Sequence, residues 1–155
     1  MTLLKFLGDS MERKTVPLRF CKSRVPLVTF RLAGEEHYAI IDTGSETTML
    51  SNQLEEHLKT REIEGNGALV AMNGRNEYSK ITQGVCRATL ETKDGEQVEV
   101  VLGGLMYDLT AISSHFRHKN DQYIPIAAII GGEFLKHYNA KIDYKKKILT
   151  IDEMA

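Results

Sequence analysis

The chain of 155 residues has no tryptophan, only three prolines and two cysteines, and its charges cancel to a net −1. Each shortage excludes something. Cys21 and Cys86 stand alone, without a CxxC pair or a histidine at ligand spacing. They form neither a disulfide framework nor a zinc motif, and reduced thiols are expected. A near-zero net charge gives no reason to expect nucleic acid or an anionic membrane as partner. Lys145-Lys146-Lys147 lies between apolar runs and reads as a solvated hairpin turn. No window approaches the run of about 18 apolar residues that a membrane span needs. Met1 to Leu7 is interrupted by Lys5 and lacks the apolar stretch and cleavage site of a signal peptide, so a cytoplasmic location is expected. Gly103-Gly104 and Gly131-Gly132 make no dinucleotide fingerprint, and there is no phosphate-binding loop. His115 and His118 stand three apart on an expected helix but lack the further ligands a metal site requires. Neither cofactor nor metal is expected.

What is present describes one domain. Apolar residues at 42% and charged residues at 26% are ordinary for a folded chain of this length. Residues 1–14 have no stable period and are expected to be an arm or leader, with one domain over 15–155. Val16 to Cys21, Val25 to Leu32, His37 to Ile41 and Thr47 to Leu50 read as short strands. Pro17 and Pro26 suit strand starts or edges. Ala33-Gly34-Glu35-Glu36 is a hairpin turn. Ser51 to Thr60 changes period and predicts a helix capped by Ser51 or Asn52. Val85 to Glu91 and Val98 to Leu102 flank the turn Lys93-Asp94-Gly95-Glu96, and Thr110 to His118 predicts a second short helix. Ile124 to Ile130, Lys141 to Tyr144 and Ile148 to Ile151 complete the inventory. Many short strands, frequent turns and one or two short helices predict a mostly β fold, a small closed β-barrel.

The chemistry-bearing segment is Tyr38-Ala39-Ile40-Ile41-Asp42-Thr43-Gly44-Ser45. An apolar strand there delivers one carboxylate to a tight turn of small hydroxyl residues and glycine. Downstream lie Met72-Asn73-Gly74, whose Asn-Gly pair signals a hairpin, then Ile129-Ile130-Gly131 with Phe134-Leu135, and finally Ile142-Asp143-Tyr144 with Leu149-Thr150-Ile151. In that order the segments resemble the retropepsin-like aspartic peptidases, particularly small bacterial members that stand alone. The resemblance covers about residues 15–153 and implies the acid-protease type of barrel.

It also implies roles. Asp42 would be the catalytic aspartate, and Asp-Thr-Gly occurs once in a chemistry that needs two carboxylates, so a homodimer is implied. Thr43 would link the two active-site loops, Gly44 would leave the turn backbone open to substrate, and Ser45 would stand beside the carboxylate. For Ser45, Thr47 and Thr48, satisfying turn backbone is an equally available role. Met72, Asn73 and Gly74 would form a flap over a bound peptide, and Gly131 would let the following helix pack against the catalytic loop. Gly132 stands where retroviral relatives often carry Arg or Asp, so a charge pair from that position to Glu46 is not expected. The implied activity is endopeptidase hydrolysis of peptide or protein substrates without a cofactor. The alternative is a catalytically inactive module of the same fold that binds peptide or dimerises.

Overall fold

The computed structural model describes residues 11–64 and 80–154, with side chains over 13–64 and 81–153. The expected flap residues Met72, Asn73 and Gly74 lie outside the described residues.

Eleven strands carry the described chain: β1 (Met11–Pro17), β2 (Arg19–Phe20), β3 (Pro26–Leu32), β4 (Glu35–Ile41), β5 (Met49–Ser51), β6 (Lys59–Glu64), β7 (Lys80–Glu91), β8 (Gln97–Tyr107), β9 (Ile126–Ile130), β10 (Lys141–Asp143) and β11 (Ile148–Met154). Two short helices, α1 (Thr110–Ser113) and α2 (Gly132–His137), and a 3-10 turn at Asn52–His57 interrupt them. The larger sheet runs β2-β3-β4-β9-β5-β8-β7-β6, and an added β3–β7 bridge closes β3, β4, β9, β5, β8 and β7 into a six-stranded barrel. The β4–β9 and β5–β8 pairs are parallel and the others antiparallel. The strands β1, β11 and β10 form a second, three-stranded antiparallel sheet.

The hydrophobic pattern accounts for this closure. Along β3, Val28, Phe30 and Leu32 enter one core while Leu27 enters a second; along β4, Ala39 and Ile41 face the first and Ile40 the second. All five residues of β9 are buried. Strands covered on both faces need near-continuous apolar runs, which is why Ile126 to Ile130 contains no polar residue. The first core fills the barrel with Phe30, Leu50, Leu90, Leu102 and Ile130, each at most 1% exposed. Burial of such side chains stabilises by about 1.5–3 kcal/mol apiece. The second core packs Leu109 and Ile124 under the barrel wall with Ile40 and Ile129.

Several expectations change in detail. Pairing begins at Met11, inside the segment expected as an arm, because β1 lies along β11 from Met11↔Met154 to Pro17↔Ile148. The helix expected over 51–60 is a 3-10 turn capped by Ser51, whose hydroxyl accepts from Gln53 N at 3.2 Å. Its chain then enters β6, a strand of charged residues at the edge of the larger sheet, where charge blocks edge-to-edge association. The helix expected over 110–118 ends at Ser113. Its serines bond backward, Ser113 Oγ donating to Leu109 O at 2.9 Å and Ser114 Oγ to Ala111 O at 2.6 Å, and such local bonds compete with helix extension. His115 and His118 therefore do not share a helical face; His118 instead meets the Tyr38 ring edge-on at 5.4 Å. The Ala33-Gly34 turn appears as expected, with both residues at positive φ (51° and 81°) joining Leu32 to Glu35.

Candidate active site

Asp42 follows β4 directly, and β9 runs parallel beside it with Ile41 opposite Ile130. The last rung of this ladder is Asp42 N donating to Ile130 O at 2.9 Å. The aspartate is thus anchored by a buried strand pair, while its side chain is exposed. Its Oδ1 accepts from Gly44 N at 3.0 Å, and Ser45 N donates to Asp42 O at 3.2 Å. A Cβ on Gly44 would sit 3.3 Å from the same Oδ1. Glycine is therefore favoured at 44 by the close approach of the carboxylate. Thr43 is exposed at the tip. The Ser45 hydroxyl donates to Thr47 O at 2.8 Å, so in this chain it satisfies turn backbone.

Beyond the tip, the loop is clamped from both sides. Gly131 N donates to the buried Thr48 Oγ1 at 3.0 Å, and Leu105 N donates to Thr48 O at 3.0 Å. The first amides of α2 reach back, Gly132 N to Ser45 O at 2.6 Å and Glu133 N to Glu46 O at 2.8 Å. Helix-terminal N–H groups with no partner inside the helix are thus satisfied by the loop, and the loop is held by the helix. Such proximity leaves no room for side chains. A Cβ on Gly131 would lie 2.6 Å from Thr47 O and 2.7 Å from Ser45 O, and one on Gly104 would lie 2.2 Å from Thr48 O. Glycine at 131 is thus required by the close approach between helix and loop.

Glu46 has an ion-pair partner, though not from position 132. Lys136, four residues further along α2, reaches its carboxylate at 3.0 Å. Both side chains are largely exposed, so the pair orients more than it stabilises. Sequence reading also missed Thr48 and Gly104. Serving its own turn is one role open to the Thr48 hydroxyl in the sequence, yet its partner is 83 positions away. Gly104 carries no local signal, because its constraint comes from a strand crossing it. The i, i+4 position of Lys136 relative to Gly132 could have suggested the Glu46 pair.

Elsewhere among the described residues, two titratable side chains each carry one buried polar atom without a hydrogen-bond partner, His37 Nε2 and Tyr107 Oη. Burial holds the His37 pKa below its ordinary value and pushes Tyr107 up. Burial also pushes the Cys86 thiol up to about 11, which keeps it protonated and unreactive at neutral pH. Cys21 is buried too, and both cysteines are free. No group of three or more metal-ligating side chains occurs among the described residues, and no helix among them is long and apolar enough to cross a membrane.

A closed mixed barrel, an Asp-Thr-Gly turn after one of two parallel strands, a glycine and short helix after the other, and a terminal β10–β11 hairpin together make a retropepsin-like fold. Among solved structures, the chain is similar to the retroviral protease-like domain of Ddi1 from Leishmania major. The two are 17% identical with a TM-score of 0.48, over 82% of this chain and 87% of that one. It is also similar to a retropepsin-like aspartic protease from Rickettsia conorii, at 12% identity and a TM-score of 0.46, over 92% of each chain. No family model matches the chain, and neither does any curated protein.

Proposed function

We propose that the chain is an aspartic endopeptidase that works as a homodimer, with Asp42 of each protomer forming the catalytic pair. The observation that supports this reading is the Asp42 turn itself. Its carboxylate is exposed, while its main chain is pinned to Ile130 and the loop behind it is clamped at Thr48, Ser45 and Glu46. A solvent-facing acid on a rigid mount is what positioning catalysis requires, since small displacements of a reacting group cost rate steeply.

Two such carboxylates brought together share one proton, because like charges at close range do not both ionise. The ionised member then draws a proton from water as it attacks the scissile carbonyl, and the protonated member donates to the carbonyl oxygen. The proton belongs to the pair, so neither copy of Asp42 is assigned a fixed role. Thr43, exposed at the tip, is placed in this reading against its counterpart across the two-fold axis. An extended peptide is bound by backbone hydrogen bonds as an added strand, beneath a flap at Met72, Asn73 and Gly74. No step calls for a cofactor.

Asp42→Asn tests the reading. Peptide cleavage should fall by at least about a thousandfold, while the dimer and its melting temperature are retained. Undiminished cleavage by this variant would remove the peptidase assignment. Absence of cleavage by the wild type, together with specific peptide binding, would establish the inactive binding module instead.

A further inference from the structure

The Lys145-Lys146-Lys147 turn does not stand alone in the folded chain. Three segments far apart in sequence converge on a cavity of about 490 Å³ lined by Phe20, Lys22, Arg24, Lys119, Tyr144 and Lys147, with Cys21 at its wall. An adjoining cavity of about 460 Å³ shares Phe20 and Lys119 and adds Arg19 and His118. No acidic side chain lines either one. Asp121 neutralises Lys22 at 2.5 Å, whereas the side chains of Arg24, Lys119 and Lys147 have no ion-pair or hydrogen-bond partner among the described residues. In a protein of net charge −1, this is a local concentration of uncompensated positive charge.

The walls are held in place. Lys22 N donates to Arg117 O at 2.8 Å, tying the β2–β3 turn to the loop that bears Lys119, and Leu18 N donates to Lys147 O at 2.9 Å. Arg24 and Lys147 both have positive φ (69° and 57°). Backbone preference alone would place Asn or Gly at such positions, and a long cationic side chain there is held at a steric cost. Beside the cations, Phe20 and Tyr144 approach with ring centroids at 6.1 Å, and Tyr144 is 57% exposed. An exposed aromatic face next to converging cations offers two kinds of contact at once: a surface for a planar ring and donors for an anion. The volume is within the range of about 300–1,000 Å³ usual for small-ligand sites.

We propose that this cavity is a binding site for a nucleoside phosphate. The phosphates would be held by Arg24, Lys119 and Lys147, and the base would lie against Tyr144 and Phe20. No residue of the Asp42 loop lines it. The β3–β4 register, with Leu27 opposite Ile40, places the β2–β3 turn at the barrel end that carries Asp42. The cavity therefore lies toward the same barrel end as Asp42 without sharing a residue with its loop.

Calorimetric titration of the full chain at low salt with ADP, adenosine and inorganic pyrophosphate tests the assignment. ADP should bind at one site per chain, and adenosine at least about tenfold more weakly, since charge-assisted contacts carry the phosphates. Arg24→Asn combined with Lys147→Asn removes two charges yet suits the left-handed backbone, and should weaken ADP by about tenfold or more. Tyr144→Ala should weaken ADP while leaving pyrophosphate unchanged. Arg61→Gln, on β6, should change nothing. If the double variant does not fold, Lys119→Gln in its exposed loop serves in its place. The proposal is overturned if ADP gives no binding heat or if the cation-removing variants bind it as the wild type does. Equal loss in Arg61→Gln overturns it as well, because that would mean general electrostatics. So does equal binding of ADP and pyrophosphate that ignores Tyr144→Ala, which would mean an adventitious ion only.

Discussion

At the scale of single residues, exposure and anchoring are separated within a few positions. Asp42 is exposed, yet six residues on, Thr48 is 1% exposed with its hydroxyl bonded to Gly131 N. Thr48→Val keeps the shape and removes the acceptor, leaving the buried Gly131 amide unpaired. A loss of about 1–3 kcal/mol is expected, the cost of a buried polar group without a partner. Denaturant unfolding checks it, and a change within error would mean that Gly131 N finds another acceptor. The Asp42-Thr43-Gly44 turn was legible in the sequence because its chemistry is local: a strand, a carboxylate and small residues follow one another. Thr48 was not. A threonine after a turn looks the same whether its hydroxyl serves its neighbour or an amide 83 positions away.

At the scale of elements, the β1–β11 pair ties the start of the described chain to its end. The tie is partly ionic, because Asp152 on β11 is buried to 7% exposure and bonded by Arg13 Nη1 and by Asn139 Nδ2. The Arg13 hydrogen bond, chiefly, holds the Asp152 carboxyl below its ordinary 3.8. A depressed carboxylate contributes stability that is present above the unfolded-state value and lost as pH falls through the folded-state one. Unfolding midpoints measured from about pH 5 down to about pH 2 should therefore fall, and the fall should be shallower in Asp152→Asn. The same slope in both proteins would place the acid sensitivity elsewhere. Element boundaries moved for comparable reasons. Strand β1 starts earlier than its residue types suggest, since Met11 to Lys14 become a strand only by lying along β11. The helix after Thr110 stops early because two serine hydroxyls take carbonyls of their own turn.

At the scale of the whole molecule, one Asp-Thr-Gly per chain makes the proposed site half of a pair. Specific activity should then rise with protein concentration below the dimer dissociation constant and plateau above it. Assays over a dilution series, with sedimentation in parallel, check this, and activity that stays constant in a demonstrated monomer would end the two-protomer mechanism. The sequence by itself determined the mostly β class, the strand that carries Asp42 and the turn that exposes it. These follow from short-range periodicity and from residue types with strong local preferences. Only the tertiary structure decided which backbone groups brace that turn, that Gly104 and Gly131 must lack a Cβ, that Lys136 reaches Glu46, and that Lys22, Arg24, Lys119 and Lys147 share a cavity. The physical reason is common to all four. Tertiary packing brings together segments as far apart as those of Lys22 and Lys147, and the constraint on each residue then comes from neighbours that sequence proximity does not reveal.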